Sequence, residues 1–190
     1  MLGEISLYIP VYNGEKTIIR AINSILNQSL KPKDILIIND CSTDNTMNEI
    51  KKINKIKIIN NKKNFGLAKS RNIGLLNSNY DYVASIDSDV ECDRCWLENL
   101  YQKMVEKDYD LIGGKLVEKN IESSINKWRA EILKQNWGDV SFQNPDFVFG
   151  ANSLLNKKKI LEKKILYDEN FKTNGEDVNF SRKLKKSGFS

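Results

Sequence analysis

Short apolar runs alternate with segments of helical periodicity over the first 110 residues of this chain. Four runs, at residues 5–9, 35–38, 56–59 and 82–86, are almost continuously hydrophobic, as expected of strands that are buried on both faces. Pro10 is expected to end the first of them. Between the runs we predict helices over residues 15–27, around Met47 and Ile50, over 66–77, and onward from Asp93. This alternation predicts an α/β fold with a mostly parallel sheet flanked by helices.

The pattern is less regular after Asp110. Residues 111–114 are predicted to form a strand, residues 121–136 have helical spacing, and a last helix is expected to begin near Gly175. Residues 147–150 and 153–155 are predicted as strand pieces that lie antiparallel at the edge of the sheet. We therefore expect one domain over residues 1–190, with a nucleotide-binding first half (1–110) and a less regular second half (111–190).

The chain contains no histidine, and this excludes several classes of active site. A Ser-His-Asp triad, a Cys-His pair and a histidine-ligated metal are ruled out. Cys92 and Cys95 have CxxC spacing but lack a second pair of zinc ligands, so we interpret them as an ordinary loop and helix start. A general base must then be a carboxylate, lysine, tyrosine or cysteine.

Charge and hydropathy bound the partners and the location. The net charge is +5, and the densest basic cluster is formed by Lys157, Lys158, Lys159, Lys163 and Lys164. We interpret this cluster as a solvated helix face in preference to a patch that rests on anionic lipid. No nucleic-acid-binding motif is present, so we expect no nucleic acid partner. The apolar runs are far shorter than the roughly 20 residues of a membrane span, and we expect a cytoplasmic location.

Polar, turn-forming residues follow each of the four strands. They are Pro10-Val11-Tyr12-Asn13-Gly14-Glu15, Asn39-Asp40-Cys41-Ser42-Thr43-Asp44, Asn64-Phe65-Gly66 and Asp87-Ser88-Asp89. Because the carboxyl ends of parallel strands meet at one edge of a sheet, these residues should converge on one crevice. Asp40 can accept from a nucleobase N–H, and Arg71 on the following helix can pair with a phosphate. Asp87 and Asp89 suit Mg2+ or Mn2+ that is shared with a diphosphate.

These four motifs, in this order, resemble the family 2 glycosyltransferases of the GT-A fold. Phe149-Gly150-Ala151-Asn152 is similar to the acceptor-side segment of that family, and Gly175-Glu176-Asp177-Val178 to the start of its base-bearing helix. The resemblance spans residues 5–188. It implies a Rossmann-like GT-A sheet and an inverting transfer of a sugar from a nucleotide-sugar, above all a UDP-sugar, to an acceptor hydroxyl.

The resemblance also implies a role for each motif. The nucleotide-sugar site would contain Pro10, Tyr12, Glu15, Asp40, Asn64, Gly66, Arg71 and Asp87. Asp89, with help from Asp87, would ligate Mn2+ or Mg2+. Asp177 would deprotonate the acceptor, and Glu176 would orient the acceptor or the helix. The same two acidic residues would also stabilise a helix N-terminus, by about 0.3–1 kcal/mol each.

Two other interpretations remain open. A nucleotidyltransferase should carry a glycine-rich, basic phosphate loop after its first strand, but residues 10–15 contain one glycine and no basic residue. A non-catalytic nucleotide-sugar-binding fragment is the second alternative, because relatives usually continue past the base-bearing helix and the chain is expected to be a core or fragment of a longer protein. The acceptor would be a saccharide, a lipid-linked saccharide or a protein. Cell-envelope polysaccharide synthesis in the cytoplasm is the expected setting, and peripheral contact at the inner face of the membrane is left open as an alternative.

Overall fold

The structure is a computed structural model, and it describes residues 3–119, 121–132, 136, 138–171 and 174–190. Its strands are β1 (Ile5–Val11), β2 (Asp34–Asn39), β3 (Lys57–Asn60), β4 (Tyr82–Ile86), β5 (Leu111–Gly113) and β6 (Asn152–Asn156). Its helices are α1 (Ile18–Leu26), α2 (Thr46–Ile50), α3 (Leu67–Asn77), α4 (Trp96–Lys107), α5 (Ser124–Ile132), α6 (Lys157–Glu162) and α7 (Glu176–Lys186). The six strands form one sheet in the order β3-β2-β1-β4-β6-β5.

The first four strands are parallel, and the sheet separates two hydrophobic cores. Side chains alternate between the faces of a strand, so Leu7 and Ile9 enter one core while Tyr8 enters the other. The first core includes buried residues of α1 and α4, and the second includes buried residues of α3, α6 and α7. The α/β fold with helices on both faces is therefore confirmed.

Pro10 does not end the first strand, contrary to the sequence-based expectation. β1 continues to Val11, and Pro10 lies in register with Ile38 of β2. The pairing of β1 with β4 ends at Tyr8 and Ser85, so Pro10 has a strand neighbour on one side only. A proline is tolerated there because no second neighbour requires its missing N–H.

The strand pieces of the second half are only partly as predicted. β6 is antiparallel to β4 and β5, but it lies between them, and β5 is the edge strand. Leu154 and Leu155 of β6 are both fully buried, one in each core, and this explains why β6 lies inside the sheet. Residues 147–150 are not a strand. The N–H groups of Val148 and Gly150 donate instead to side chains of α7, so a strand partner is not needed.

The helices are shorter than the hydrophobic spacing suggested. α1 begins at Ile18 and not at residue 15, and α4 begins at Trp96 and not at Asp93. α5 covers Ser124–Ile132, and residues 133–135 of the predicted helix lie outside the described residues. Within the described parts of the chain, the helices include none whose length and hydropathy would suit a membrane span.

Candidate functional site

The candidate site lies at the edge of the sheet where the four parallel strands end. The antiparallel β6 starts at the same edge, because its Asn152 pairs with Ile86 at the end of β4. The N–H of Asp87 donates to the carbonyl of Ala151 at 3.3 Å, which fixes the segment before β6 next to the end of β4. Residues from both halves of the chain therefore meet at one edge, as the sequence predicted for the first four motifs.

The loops after β1 and β2 are joined by side-chain hydrogen bonds. The Glu15 carboxylate accepts from the N–H of Asn45 at 2.9 Å, and the N–H of Glu15 donates to Asp44 at 3.1 Å. The Asn13 side-chain oxygen accepts from the N–H of Thr43 at 2.8 Å. These bonds hold the two loops in a fixed position relative to each other. Tyr12, which directly follows β1, is 50% exposed.

The Asp40 carboxylate organises the loop that follows β3. Its Oδ1 accepts from the side chain of Asn61 at 2.7 Å and from the N–H of Phe65 at 2.9 Å, and its Oδ2 accepts from the N–H of Gly66 at 2.8 Å. Asp40 is only 4% exposed. A carboxylate has about four lone-pair sites, so these bonds leave capacity for one further donor.

Three further predicted residues frame this part of the site. Asn64 is exposed in the loop that Asp40 holds, whereas Pro10 is buried in β1. Gly66 has a φ of +91°, a conformation that a side chain would disfavour, and it directly precedes α3. The structure thus brings Asp40, Asn64 and Gly66 into one loop cluster, whereas Pro10 is buried within the sheet beside Ile38 of β2.

Arg71 lies at the centre of a buried network with a side chain that is 1% exposed. Its Nε donates to Glu176 at 3.0 Å and its Nη2 to Asp87 at 2.8 Å. Its Nη1 donates to the Ser85 hydroxyl at 3.0 Å and to the Gly150 carbonyl at 2.9 Å. Burial alone would lower the pKa of Arg71, but the neighbouring charges, Asp87 first, raise the pKa well above its ordinary value. Arg71 is therefore a permanent buried cation.

The Asp87-Ser88-Asp89 segment can contribute to a metal site but cannot complete one. The Asp87 side chain is 30% exposed and Arg71 binds one of its two oxygens, while Asp89 is exposed. No group of three or more His, Cys, Asp or Glu side chains suited to a metal occurs in the portion of the chain that the structure describes. Two carboxylates fit a Mg2+ or Mn2+ ion that takes its other ligands from phosphate and water.

Glu176 and Asp177 lie in the first turn of α7, at the predicted start of the last helix. Burial raises the pKa of Glu176 above its ordinary value, and Arg71 acts in the opposite direction. Asp177 is partly exposed, and its Oδ2 accepts from the N–H of Gly150 at 3.0 Å. Glu176 is therefore held by Arg71 of α3, and Asp177 is held by the segment before β6.

Sequence reasoning did not assign Ser85 to this network, and it named Gly150 only within the acceptor-side segment and not as a partner of Arg71. A serine inside the apolar run of β4 was the available signal for Ser85, because it places a hydroxyl on a fully buried face. Gly150 has room for no side chain, since a Cβ there would lie 2.9 Å from the Arg71 Cζ atom. That close approach depends on a partner 79 residues away, so no local pattern could reveal it.

Two further features do not belong to the Arg71 network. Cys41, Cys92 and Cys95 are free thiols, and burial raises the pKa of Cys92 to about 12, which opposes a thiolate at neutral pH. A cavity of about 350 Å3 lies in the second half, between β5, residues 138–145 and the C-terminal part of α7. Ser181, one helical turn after Asp177, lines it.

Comparisons with known proteins agree with this geometry. Residues 6–165 match the family model described as "Glycosyl transferase family 2". The chain is 33% identical over 196 residues to poly(ribitol-phosphate) beta-N-acetylglucosaminyltransferase TarP of Staphylococcus aureus, covering 95% of this chain and 57% of TarP. It is 31% identical over 207 residues to a dolichyl N-acetyl-alpha-D-glucosaminyl phosphate 3-beta-D-2,3-diacetamido-2,3-dideoxy-beta-D-glucuronosyltransferase of Methanococcus voltae, covering 97% of this chain and 62% of that protein.

Solved structures share the fold. The crystal structure of S. aureus TarS 1-349 superposes with a TM-score of 0.76 at 22% identity, covering 94% of this chain and 54% of that one. The same protein in complex with UDP-GlcNAc superposes with a TM-score of 0.71 at 23% identity, covering 94% of this chain and 52% of that one. The chain thus spans a little over half the length of these relatives, and the likeness to TarS establishes the GT-A arrangement.

We predict that Asp40→Asn destabilises the site loop. An asparagine offers one acceptor oxygen where three donors now converge, so at least one buried N–H or N–H2 group loses its partner. The expected loss is about 2 kcal/mol, or roughly 5 °C in Tm for a chain of this size. Thermal unfolding measures it, with Asp81→Asn at an exposed position as the matched control. Equal Tm values for the two variants would contradict the role given to Asp40.

Proposed function

Because the chain belongs to glycosyl transferase family 2, we propose that it transfers a sugar from a UDP-sugar to an acceptor hydroxyl with inversion at the sugar carbon. The observation that carries the proposal is the convergence of Asp40, Asp87, Asp89 and Asp177 at one edge of the sheet. TarP, named as an N-acetylglucosaminyltransferase, and TarS, solved with UDP-GlcNAc, support a UDP-sugar as the donor.

The donor is proposed to bind over the loops after the first three strands. The remaining acceptor site of Asp40 would take a base N–H, and the half-exposed Tyr12 offers a ring face for the base or ribose. Glu15, Asn64 and Gly66 would shape the rim of the same pocket, with Pro10 supporting it from β1. Direct contact of Arg71 with a phosphate would require its buried guanidinium to become accessible, so its place in the donor site is through Asp87.

Asp89 and Asp87 are the residues that would hold Mn2+ or Mg2+. A bound divalent cation would supply compensation for the charge of the leaving diphosphate. The protein would contribute two carboxylates from one strand end, held in place because β4 is paired on both sides and Asp87 is bonded to Arg71.

Asp177 is proposed to act as the general base. The acceptor oxygen would attack the anomeric carbon while the bond from that carbon to the phosphate oxygen breaks, and the hydroxyl proton would pass to Asp177 as UDP leaves with the electron pair. A base opposite the leaving group implies single displacement and inversion. Glu176, buried and bonded to Arg71, would orient the start of α7. Both carboxylates also suit a helix N-terminus.

The acceptor is proposed to be a saccharide, either in a cell-envelope polymer or linked to a lipid. TarP is named for poly(ribitol-phosphate), and the Methanococcus relative for a dolichyl phosphate glycan. Residues 1–110 would form the donor half and residues 111–190 the acceptor half. The cavity of the acceptor half is lined by Ser181, which lies one helical turn after Asp177 on α7.

The proposed location is cytoplasmic, and peripheral contact at the inner face of the membrane is the alternative. Lys158, Lys163 and Lys164 are exposed and available for anionic lipid. Lys157 and Lys159 instead bind the Ser78 carbonyl and Asp110. These contacts reduce the number of lysines that could bind anionic lipid, and they favour the interpretation of this cluster as a solvated helix face.

We predict that UDP stabilises the chain in a Mn2+-dependent way. Ligand at 100 times its Kd adds about 2.7 kcal/mol, which should raise Tm by roughly 5–10 °C. Asp89→Asn should lose the part of the shift that Mn2+ adds, whereas Asp93→Asn, at a nearby exposed position, should keep it. The measurement is thermal unfolding with UDP, GDP, CDP and UDP-GlcNAc, each with and without Mn2+. A Mn2+-dependent shift that survives in Asp89→Asn would contradict the assigned ligand.

We further predict that Asp177→Asn lowers turnover about 10²- to 10⁴-fold while UDP binding persists. Release of UDP from UDP-GlcNAc measures turnover, with poly(ribitol phosphate) and a lipid-linked N-acetylglucosamine as acceptors. Asp146→Asn, at an exposed position of the same half, is the control and should retain turnover. NMR of the first-formed product should show inversion, and retention would exclude single displacement. Binding of UDP without transfer to any acceptor would favour the non-catalytic binding fragment. Formation of UTP and N-acetylglucosamine 1-phosphate from UDP-GlcNAc and added diphosphate would favour a nucleotidyltransferase.

A further inference from the structure

Arg71 joins the two sides of the site through bonds that contact with a substrate does not explain. Four of its five N–H groups donate within the protein, to acceptors on β4, at the end of β4, before β6 and on α7. Asp87 belongs to the proposed donor side and Glu176 to the proposed base-bearing helix. One side chain therefore binds a carboxylate from each side.

A second connection runs through the peptide of Gly150. Its carbonyl accepts from Arg71 at 2.9 Å, and its N–H donates to Asp177 at 3.0 Å. The absence of a side chain lets the guanidinium approach the Gly150 Cα closely. Arg71 is thus linked to Glu176 by one hydrogen bond and to Asp177 by two.

The charges of the network do not balance one to one. Arg71 supplies one buried positive charge, and Asp87 and Glu176 share it. The Glu176 side chain is 4% exposed, so water compensates little of its charge. If Glu176 were neutral, the positive charge of Arg71 would be compensated by Asp87 alone. Asp87 would then have less negative charge to offer a cation and would bind it less strongly. Conversely, a cation bound at Asp87 should strengthen the attraction between Arg71 and Glu176, because linkage between two sites is mutual.

We propose that Arg71 is a positioning residue that couples cation and nucleotide binding at Asp87 to the placement of Glu176 and Asp177. This inference rests on the proposed function. In it, the donor side and the base-bearing helix are not independent parts of the site, since both are held by one guanidinium. The base is aligned most favourably when the donor and its cation occupy the other side.

The first test is a double-mutant cycle on UDP binding, measured by calorimetry in the presence of Mn2+. Glu176→Gln should weaken UDP binding about three- to tenfold, although Glu176 lies on the opposite side of the site. The effect should disappear when Arg71→Met is the background. If Arg71→Met does not fold, Arg71→Lys is used as the background in its place. Lysine keeps the charge but not the forked donors, so the effect of Glu176→Gln should be reduced in that background.

The matched control is Glu162→Gln, the same substitution at an exposed position of α6. The proposal is overturned if Glu176→Gln changes the Kd of UDP no more than Glu162→Gln does. It is also overturned if the effect of Glu176→Gln persists undiminished in both Arg71 backgrounds.

A second test needs no ligand and separates this inference from the proposed function. Arg71 keeps one carboxylate partner in Asp87→Asn and in Glu176→Gln but loses both in the double variant. The fall in Tm of the double variant should therefore exceed the sum of the two single falls. Additive falls would overturn the coupling. If wild-type protein binds no nucleotide, the proposed function fails, and this cycle alone decides whether Arg71 couples the two carboxylates.

Discussion

The buried charge of Arg71 is the interaction on which the arrangement of the site depends. A guanidinium that water cannot reach must be compensated by the protein, and here the compensation comes from Asp87 and Glu176 with further acceptors from Ser85 and Gly150. These partners belong to separate elements of the fold. Satisfying one side chain therefore fixes the end of β4, the segment before β6 and the start of α7 relative to one another.

The sheet makes this arrangement reachable. Four parallel strands bring their carboxyl ends to one edge, and the antiparallel β6 brings its N-terminal end there as well. Asp40 repeats the same principle at a smaller scale, because its carboxylate holds the loop that leads into α3. Acidic side chains thus shape the site as well as supply its proposed chemistry, and a change at Asp40 or Asp87 is expected to affect both.

Much of this could be predicted from local sequence. The run at residues 82–86 has the composition of a strand buried on both faces, and β4 has the predicted bounds. The family resemblance and the α/β fold are confirmed, whereas the roles of the site residues stay predictions. The end of β1 was predicted wrongly at Pro10, because local propensity cannot show that the pairing of β1 with β4 already ends at Tyr8.

Long-range contacts account for what the sequence could not reveal. Residues 147–150 have the composition of a strand, yet their donors bind Ser181 and Asp177 on α7. β6 was expected at the sheet edge, but its place between β4 and β5 depends on burial in both cores. The link between Arg71 and Glu176 joins residues 105 positions apart, so no periodicity or motif spacing reports it.

The most direct test of the central claim is where Mn2+ binds in the presence of UDP. Paramagnetic broadening of amide NMR signals reports proximity to Mn2+ without relying on turnover. The site described here predicts that broadening centres on residues 87–89 and extends to Gly150 and Asp177, while signals of Ile5 and Tyr82 at the other end of the strands are broadened less. Broadening centred elsewhere, or none in the presence of saturating UDP, would contradict the claim that this edge of the sheet is the donor site.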